Sequence, residues 1–329
     1  MTEDRIPSKP PYIAPVPPDQ HRPLWSVMIP TYNCSKYLKQ TLESVLLQDP
    51  GADKMQIEVV DDGSSDADVS KLVAEIGKGR IGFFQQPQNR GSLRNFETCL
   101  NRARGTYVHL LHGDDWVEPG FYQEIENLFT RYPEAGAAYT GFKQVEESGA
   151  LKFPNIKVLD EPGIIDNWLT IIAQGQKIQP PAIVVKRNVY EQLGGFFAVH
   201  YGEDWEMWIR IASHFPVAHS PKLLAHYRMH QNNISGKYYL SGQNIKDIAT
   251  VIDIIQEYLP TDQKKTLMLN AKRNWSHYFA RTSDKVYDGY KSPRQAVRQA
   301  MMAFKLHANR TSLFYLVKNY FKLMIRYKM

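Results

Sequence analysis

The sequence has few cysteines and no long apolar run. Only Cys34 and Cys99 occur among 329 residues. Both fall in segments with a helical pattern, and two thiols form neither a disulfide framework nor a cysteine-rich metal cluster. Nowhere do 18 uncharged apolar residues follow one another, and the first 23 residues hold seven prolines instead of the apolar core of a signal peptide. The sequence therefore predicts a cytoplasmic protein without a membrane span.

Acidic residues are missing from the end of the chain. Residues 289–329 contain nine Lys or Arg and no Asp or Glu, whereas the remainder has 31 basic and 34 acidic residues, so the net charge of +6 divides into +9 and −3. The basic excess therefore concerns the tail alone. The hydrophobic content of 43% and charged content of 22% are those of a folded chain.

Four segments differ in their pattern. Residues 1–23 are a proline-rich, extended lead-in, and residues 241–329 have a helical pattern without strand signals. Residues 24–132 alternate strand and helix four times, which predicts an α/β fold with a parallel sheet and right-handed crossovers. Residues 133–240 are less regular and include a loop-rich stretch at 146–163. The four predicted strands of the first half are Trp25–Ile29, Gln56–Val60, Ile81–Phe84 and the strand that starts at Tyr107.

Polar motifs follow three of these strands. PTYN (30–33), DDGSSD (61–66) and HGDDW (112–116) each start where a predicted strand ends. In a parallel sheet these loops emerge at the same edge, where α/β proteins bind ligands. Asp114 and Asp115 supply the hard oxygen ligands of a divalent cation. Taken alone, such a pair more often opens a turn or caps the helix after Pro119 than binds a metal.

A second acidic pair begins the segment GEDWEMWIRIA (202–212). Trp205, Trp208, Ile209 and Ala212 share one helical face, which indicates packing in the core. Asp204 lies at the start of this helix, where a carboxylate can either cap the helix or serve in an active site.

The last helical segment is amphipathic. Its apolar face holds Leu313, Leu316, Val317, Tyr320, Phe321 and Met324, and another face holds Lys318, Lys322 and Arg326. Such a helix either lies on an anionic membrane surface or packs its apolar face on the protein with its charges in solvent. No nucleic-acid-binding motif surrounds it.

SVMIPTYN, VVDDGSSD, HGDDW and GEDWEMWIRIA, in this order and at these separations, resemble a family 2 glycosyltransferase. The likeness covers about residues 24–235, and the four motifs together are far more specific than any one of them. It implies the GT-A nucleotide-diphospho-sugar transferase fold, with a Rossmann-like, mainly parallel sheet, and here a C-terminal helical extension. Residues 24–132 would bind the nucleotide sugar and residues 133–240 the acceptor.

The resemblance also implies roles for individual residues. Asp114 and Asp115 would bind Mn²⁺ or Mg²⁺ together with the donor, one touching the metal and the other the ribose. His112 departs from the family pattern, which commonly has an acidic residue there. Asp204 would be the catalytic base of an inverting reaction, with Glu203 beside it. The remaining residues implied to bind substrate are Pro30, Thr31, Tyr32, Asp61, Asp62, Arg228 and His230, the last two in a segment that closes over the donor diphosphate.

The expected function is metal-dependent transfer of a sugar from a UDP- or dTDP-sugar to a hydroxyl of a glycan or lipid-linked acceptor, in synthesis of a bacterial surface polysaccharide. Two alternatives stay open. A sugar nucleotidyltransferase would share the sheet and the metal, although it normally has a Gly-rich phosphate loop where this chain has PTYNCSKY. A catalytically inactive nucleotide-binding scaffold is the other. A glycoside hydrolase has no need of the nucleotide-binding motifs.

Overall fold

The computed structural model describes residues 5–154, 158–230 and 234–325. The chain divides into two compact units. Unit 1 comprises residues up to 168 with 178–198 and 214–229, and unit 2 comprises residues 169–177, 199–213 and 230 onward. The four segments predicted from the sequence, 1–23, 24–132, 133–240 and 241–329, were defined by composition and expected role and not by compactness. That division stays a prediction.

Unit 1 is built on a ten-stranded sheet. Four strands at one side have the order β3-β2-β1-β4, and β9, β6, β10 and β5 follow. The short β7 and β8 pair with β6 and β10. The strands are β1 (Trp25–Thr31), β2 (Met55–Asp61), β3 (Gly82–Gln85), β4 (Tyr107–Leu110), β5 (Trp116–Val117), β6 (Ala137–Glu146), β7 (Leu151–Pro154), β8 (Gly163–Ile164), β9 (Ile183–Lys186) and β10 (Val217–Met229).

The first four strands are parallel to one another, as the alternating pattern predicted. Strand β1 is wholly buried and sits between β2 and β4. Gly105 makes this arrangement fit, because a Cβ atom there would lie 2.4 Å from the Trp25 carbonyl carbon. On the other side, β9 runs antiparallel to both β4 and β6, while β6 and β10 form a long parallel pair. Parallel pairing therefore prevails by length.

Helices connect the strands of unit 1 and form most of unit 2. In α1, Leu38, Leu42 and Val45 follow one another at spacings of four and three, which puts them on one helical face, and all three are fully buried. The helices are α1 (Ser35–Leu46), α2 (Val69–Gly77), α3 (Ser92–Arg102), α4 (Phe121–Arg131), α5 (Trp168–Ile172), α6 (Arg187–Leu193), α7 (Glu203–Ala212), α8 (Ile234–Ser241), α9 (Gln243–Ile254), α10 (Lys264–Asp284), α11 (Pro293–Leu306) and α12 (Arg310–Met324). No helix among the described residues is both long and apolar enough to cross a bilayer.

Several local predictions need correction. Cys34 precedes α1 instead of lying within it, because the helix begins at Ser35. The stretch at 146–163 includes two short strands, and its residues 155–157 lie outside the described part of the chain. The irregular pattern of residues 217–229 suggests a strand followed by a loop, but these residues form the single strand β10, whose pairing with β6 shifts register twice between Ser220 and Ala225. Ser292-Pro293 has the pattern of a cap followed by the first helical residue, and α11 does begin at Pro293, but the Ser292 side chain forms no capping hydrogen bond.

The lead-in of unit 1 has no helix or strand across residues 5–23 but is attached to the fold; we call it the N-terminal strap. Ile13 in the strap is fully buried. The Gly195 amide donates to the Pro11 carbonyl (2.9 Å), and the Ala198 amide donates to the Pro7 carbonyl (2.9 Å). Backbone hydrogen bonds and one apolar anchor thus hold a segment that forms no regular structure.

In helix α12 of unit 2 the basic face turns toward the protein and the apolar face toward solvent, which is the reverse of the packing that the sequence offered as one alternative. Its lysines face the protein, since Lys318 Nζ lies 2.5 Å from Asp284 and Lys322 Nζ 3.2 Å from Asp288. Its apolar face is exposed over Leu313, Phe314, Val317, Tyr320, Phe321, Met324 and Ile325. A capping box formed by Asn309 and Ser312 fixes the start of the helix. Arg326, which the sequence placed on the basic face, lies outside the described residues.

Candidate active site

The three polar motifs of unit 1 meet at the carboxyl ends of β1, β2 and β4. The Asp62 amide donates to the Thr31 carbonyl (2.9 Å), and the Gly113 amide donates to the Pro30 carbonyl (3.1 Å). Gly113 is required for this approach, since a Cβ atom would lie 3.0 Å from both Thr31 Oγ1 and Cys34 Sγ. The placement at one sheet edge is the one that parallel strands impose.

Side chains link the PTYN and DDGSSD loops. Asn33 Oδ1 accepts a hydrogen bond from the Ser65 amide (2.8 Å), and Asp66 accepts from the amide and the hydroxyl of Ser35. Pro30 and Thr31 are buried, whereas the ring of Tyr32 is 50% exposed. Tyr32 is therefore the residue of this loop that offers a flat surface to a ligand.

The two carboxylates that begin DDGSSD are buried and hold neighbouring loops. Asp61 accepts from the hydroxyl and the amide of Ser64. Asp62 accepts from the amides of Arg90 (2.7 Å) and Gly91 (2.8 Å) and from the Asn89 side chain (2.9 Å). Burial raises the pKa of Asp62, although these donors act to lower it. Each residue thus has a structural task, and contact with a nucleoside stays a prediction for both.

Asp114 and Asp115 lie in a tight turn within the HGDDW segment. The Asp115 amide donates to the His112 carbonyl (3.0 Å), so that ligand atoms of His112, Asp114 and Asp115 lie within 4.8 Å of one another. Neither carboxylate caps the following helix, because the N-cap of α4 is Gly120. The alternative of a helix cap is therefore wrong.

Asp115 is 1% exposed, and its two oxygens differ. Oδ1 accepts from the Arg228 amide (2.8 Å), whereas Oδ2 has no hydrogen-bond partner among the described residues. Burial and the neighbouring Asp114 raise the pKa of Asp115 well above its ordinary value. A buried, unsatisfied carboxylate oxygen is costly, and a cation would relieve the cost. The three side chains therefore fit a divalent cation such as Mn²⁺ or Mg²⁺.

His112 contributes a nitrogen where the family pattern commonly has a carboxylate. Its ring stacks on Phe96, with 5.1 Å between ring centroids. Burial lowers the pKa of His112, and Asp114 acts against this shift. A neutral imidazole keeps a lone pair, and imidazole nitrogen with carboxylate oxygen is a donor set that Mn²⁺ accepts.

Arg228 in β10 braces the acidic turn. Its Nε donates to the Asp114 carbonyl (2.9 Å), Nη1 to the Glu147 carbonyl (2.7 Å) and Nη2 to the Gln40 side chain (2.5 Å). The guanidinium also stacks on Trp116, 4.5 Å from the ring centroid. These contacts hold the backbone next to the metal ligands, so the structure gives Arg228 a positioning task. Its predicted contact with a diphosphate stays a prediction.

Thr41 is a site residue that the sequence reasoning missed. Its hydroxyl contacts the carbonyls of Asp115 (2.7 Å) and Gly113 (3.1 Å), and its side chain is fully buried. The signal was present, because Thr41 lies directly before Leu42 on the buried face of α1, where an apolar residue is expected. A polar residue on an apolar face often indicates a hydrogen bond to another element.

In unit 2, Asp204 is the second residue of α7. Its Oδ2 accepts from Gln176 Nε2 (2.6 Å), and its Oδ1 accepts from the Trp205 amide (2.7 Å). The N-cap is Gly202, so the cap alternative is wrong here too. Burial raises the pKa of Asp204 to about 6, while the two donors act to lower it. A carboxylate that titrates near neutral pH suits a general base.

Two further carboxyl groups lie in the same unit. Burial raises the pKa of Glu203 well above its ordinary value, and Asp204 and Asp247 raise it further. Asp247 accepts from the Tyr201 amide (3.2 Å) and from Gln243 (2.7 Å). His230 is the first residue of unit 2 after β10, and residues 231–233 lie outside the described part of the chain.

Solved structures of similar fold include two complexes with ligands. One is Staphylococcus aureus TarS, residues 1–349, in complex with UDP-GlcNAc, with a TM-score of 0.67 and 16% identity over 92% of this chain and 91% of that one. The other is mannosyltransferase PcManGT from Pyrobaculum calidifontis in complex with GDP-Man and Mn²⁺. Its TM-score is 0.56 at 19% sequence identity, and the match covers 96% of this chain and 84% of that one. The predicted GT-A fold is confirmed.

Among curated sequences, the chain is 28% identical over 219 residues to an uncharacterized Mycobacterium tuberculosis protein. This alignment covers 62% of this chain and 66% of that protein. It is 25% identical over 223 residues to Escherichia coli chondroitin synthase, and this alignment covers 65% of this chain and 30% of the synthase. The chain thus spans less than two thirds of either relative. The model of glycosyl transferase family 2 matches residues 26–192, which is half of the chain and includes the PTYN, DDGSSD and HGDDW motifs. The chain belongs to glycosyl transferase family 2.

Proposed function

We propose that this protein transfers a sugar from a UDP- or dTDP-sugar to a hydroxyl group of a glycan or lipid-linked acceptor, with inversion at the anomeric carbon. The observation that carries the proposal is the edge of the unit 1 sheet, where PTYN, DDGSSD and HGDDW meet and where Asp115 Oδ2 is buried without a hydrogen-bond partner among the described residues. A growing surface polysaccharide is the acceptor class that we expect.

Asp114, Asp115 and His112 would hold Mn²⁺ or Mg²⁺, which neutralises the charge that grows on the leaving diphosphate. Arg228 and Thr41 keep the turn in place through its backbone carbonyls. The exposed ring of Tyr32 would stack on the base, with Thr31 and Pro30 forming the floor beneath it. Asp62 would accept a hydrogen bond from a base N–H in addition to those it has.

Asp204 would act as the base. The acceptor oxygen forms its bond to the anomeric carbon while the bond to the diphosphate oxygen breaks, and the acceptor proton passes to the Asp204 carboxylate. A single displacement inverts the configuration. The raised pKa of Asp204, about 6, supports this role, because the group is ionised at neutral pH and still basic enough to take a proton. Glu203 lies beside it, and burial together with Asp204 and Asp247 raises the pKa of the Glu203 carboxyl group well above its ordinary value.

The test is a screen of UDP-, dTDP- and GDP-sugars for nucleoside diphosphate release by the full chain, with Mn²⁺, with Mg²⁺ and with EDTA. We expect release with one uridine or thymidine donor, loss in EDTA, and a loss of at least about 100-fold in Asp114→Asn, as for other groups that stabilise developing charge. Asp53→Asn, at an exposed position, is the matched control. Release that is unchanged in EDTA would remove the metal from the proposal.

The same assay separates the alternatives. A sugar nucleotidyltransferase would form pyrophosphate from a nucleoside triphosphate and a sugar phosphate, and would release no nucleoside diphosphate. An inactive scaffold would bind the donor, with a raised melting temperature, but would release nothing.

We also propose that α12 rests on an anionic membrane surface. Six exposed apolar side chains of α12, together with Ile325 directly after it, support the proposal, because an exposed apolar patch of this kind marks an interaction site. Lys318 and Lys322 are paired with acidic residues of unit 2, so attraction to anionic lipid would come from the other basic residues of the tail. Vesicles of mixed anionic and zwitterionic lipid should bind the full chain, and Phe321→Ser should weaken binding. Leu47→Ser, which changes a leucine that is 72% exposed in unit 1, is the control. Equal binding by Phe321→Ser would refute the membrane role.

A further inference from the structure

Unit 1 contains a cavity of about 510 Å³ beneath the N-terminal strap. Its lining comes from the strap, the start of β2, the end of α3 and the start of α6. Gln56 is the second residue of β2, and Arg104 lies just before β4, so the cavity is at the amino ends of the parallel strands. The HGDDW segment follows the carboxyl end of β4. The cavity is therefore at the opposite edge of the sheet from the proposed donor site.

The lining is basic. Arg102, Arg104 and Arg187 line the cavity against a single carboxylate, Glu58. Arg102 neutralises that carboxylate, with Nε 2.5 Å from Glu58 Oε1. The Arg104 backbone is fixed, since its amide contacts Ser26 Oγ and Gln56 Oε1 at 3.0 Å each. Arg104 thus has no carboxylate partner in the lining, and the ion-pair partner of Arg187, Glu191, lies outside the lining, which favours an anionic ligand.

Arg187 is 2% exposed and is the strongest sign of a missing partner. Its Nη2 donates to the Ala14 carbonyl (2.8 Å), but Nε and Nη1 have no hydrogen-bond partner among the described residues. Nη1 lies 3.4 Å from Glu191, near enough for charge attraction. Burial lowers the pKa of Arg187, Glu191 acts against this and Arg22 lowers it further. Buried guanidinium donors are costly when unsatisfied, and a phosphate satisfies two at once.

The strap supplies a fixed, largely apolar wall. Ala14 is held from both sides, because its amide donates to Asn101 Oδ1 (3.1 Å) while its carbonyl accepts from Arg187. Pro15, Val16 and Pro17 follow directly and line the cavity. Prolines have restricted backbones, so this wall is preformed. A ligand with an apolar body next to its anionic group would contact both sides of the cavity.

We propose that this cavity binds an organic phosphate monoester, with its phosphoryl group on Arg187 and Arg104 and its apolar body against Pro15–Pro17. The inference goes beyond the proposed sugar transfer, because neither the donor nor the acceptor is assigned to this edge of the sheet. A second ligand here would act on the strap and on the ends of β2 and α3.

The test is titration of the full chain with phenyl phosphate in EDTA, measured by calorimetry. We expect one site with a Kd below about 1 mM, binding to inorganic phosphate that is weaker by about tenfold, and none to phenol. Arg104→Ala should weaken phenyl phosphate by at least about tenfold, since it removes a charge-assisted contact. Arg131→Ala changes an exposed arginine of α4 and should leave the Kd unchanged.

Two further measurements keep the outcome decisive. Saturating UDP with Mn²⁺ should leave phenyl phosphate binding unchanged, and competition would show that the ligand occupies the donor site. Arg187→Lys keeps the charge but loses the guanidinium fork, so it should also weaken binding. Absence of binding by the unaltered chain, or equal binding by Arg104→Ala, would overturn the proposal.

Discussion

Replacing Arg228 by lysine tests whether this side chain supports the acidic turn or contacts the donor. The guanidinium donates to three acceptors on separate parts of unit 1, at 2.9, 2.7 and 2.5 Å. Lysine keeps the positive charge and can restore one of these bonds. Two are lost, at about 1.5 kcal/mol each, the lower end of the range for hydrogen bonds from charged donors. The expected loss is about 3 kcal/mol.

Hydrogen exchange measures this loss where it occurs. A local opening free energy that falls by about 3 kcal/mol accelerates amide exchange by about 100-fold. We expect this in peptides that cover 107–118 and 222–230, with Arg131→Lys as the matched control. Affinity for Mn²⁺ should fall with it, because the turn that presents Asp114 and Asp115 opens more often. If exchange in Arg228→Lys stays within about twofold of the unaltered chain while donor binding weakens, the positioning role is refuted and a donor contact takes its place.

Three further predictions concern single residues. Asp204→Asn should stabilise unit 2 at pH 8 by up to about 3 kcal/mol, measured by urea unfolding. The reason is that a carboxyl group whose pKa is raised from 3.8 to about 6 lowers the free energy of unfolding as pH rises through that window, and the loss is complete above it. The gain in the variant should vanish toward about pH 4, and a gain independent of pH would contradict the raised pKa. His112→Phe keeps the stacking on Phe96 and should lower Mn²⁺ affinity about tenfold in calorimetric titration, so unchanged affinity would exclude the imidazole as a ligand. Gly113→Ala should cost about 1–3 kcal/mol in thermal unfolding, since its Cβ would press on Thr31 and Cys34, and a neutral result would mean that the turn has room to shift.

The parallel half of the sheet could be predicted because its signals are local. Each strand of the first half is a short apolar run, each helix has its own buried face, and Asp, Gly and Ser separate them. Their alternation indicates parallel strands joined by right-handed crossovers, although it does not give the order β3-β2-β1-β4. The shared edge for Asp62 and Asp114 followed from that topology alone.

Contacts between distant segments could not be predicted in the same way. Arg228 reaches Gln40 across 188 positions of sequence, and no periodicity indicates such a pair. The N-terminal strap has no apolar period, and its attachment depends on backbone carbonyls that every residue has. For helix α12 the sequence shows an amphipathic pattern, but it does not show which of the two faces turns toward the protein. Asp284 and Asp288 decide that by pairing with its lysines.

The most direct test of the central claim is UDP release by Asp204→Asn, compared with its affinity for the donor that the screen identifies. We predict that donor affinity in the presence of Mn²⁺ stays within about threefold, while release and transfer fall by at least about 100-fold, because the base is lost and the nucleotide contacts in unit 1 are kept. An Asp204→Asn variant that keeps near-normal turnover would contradict the account and would require another residue as the base.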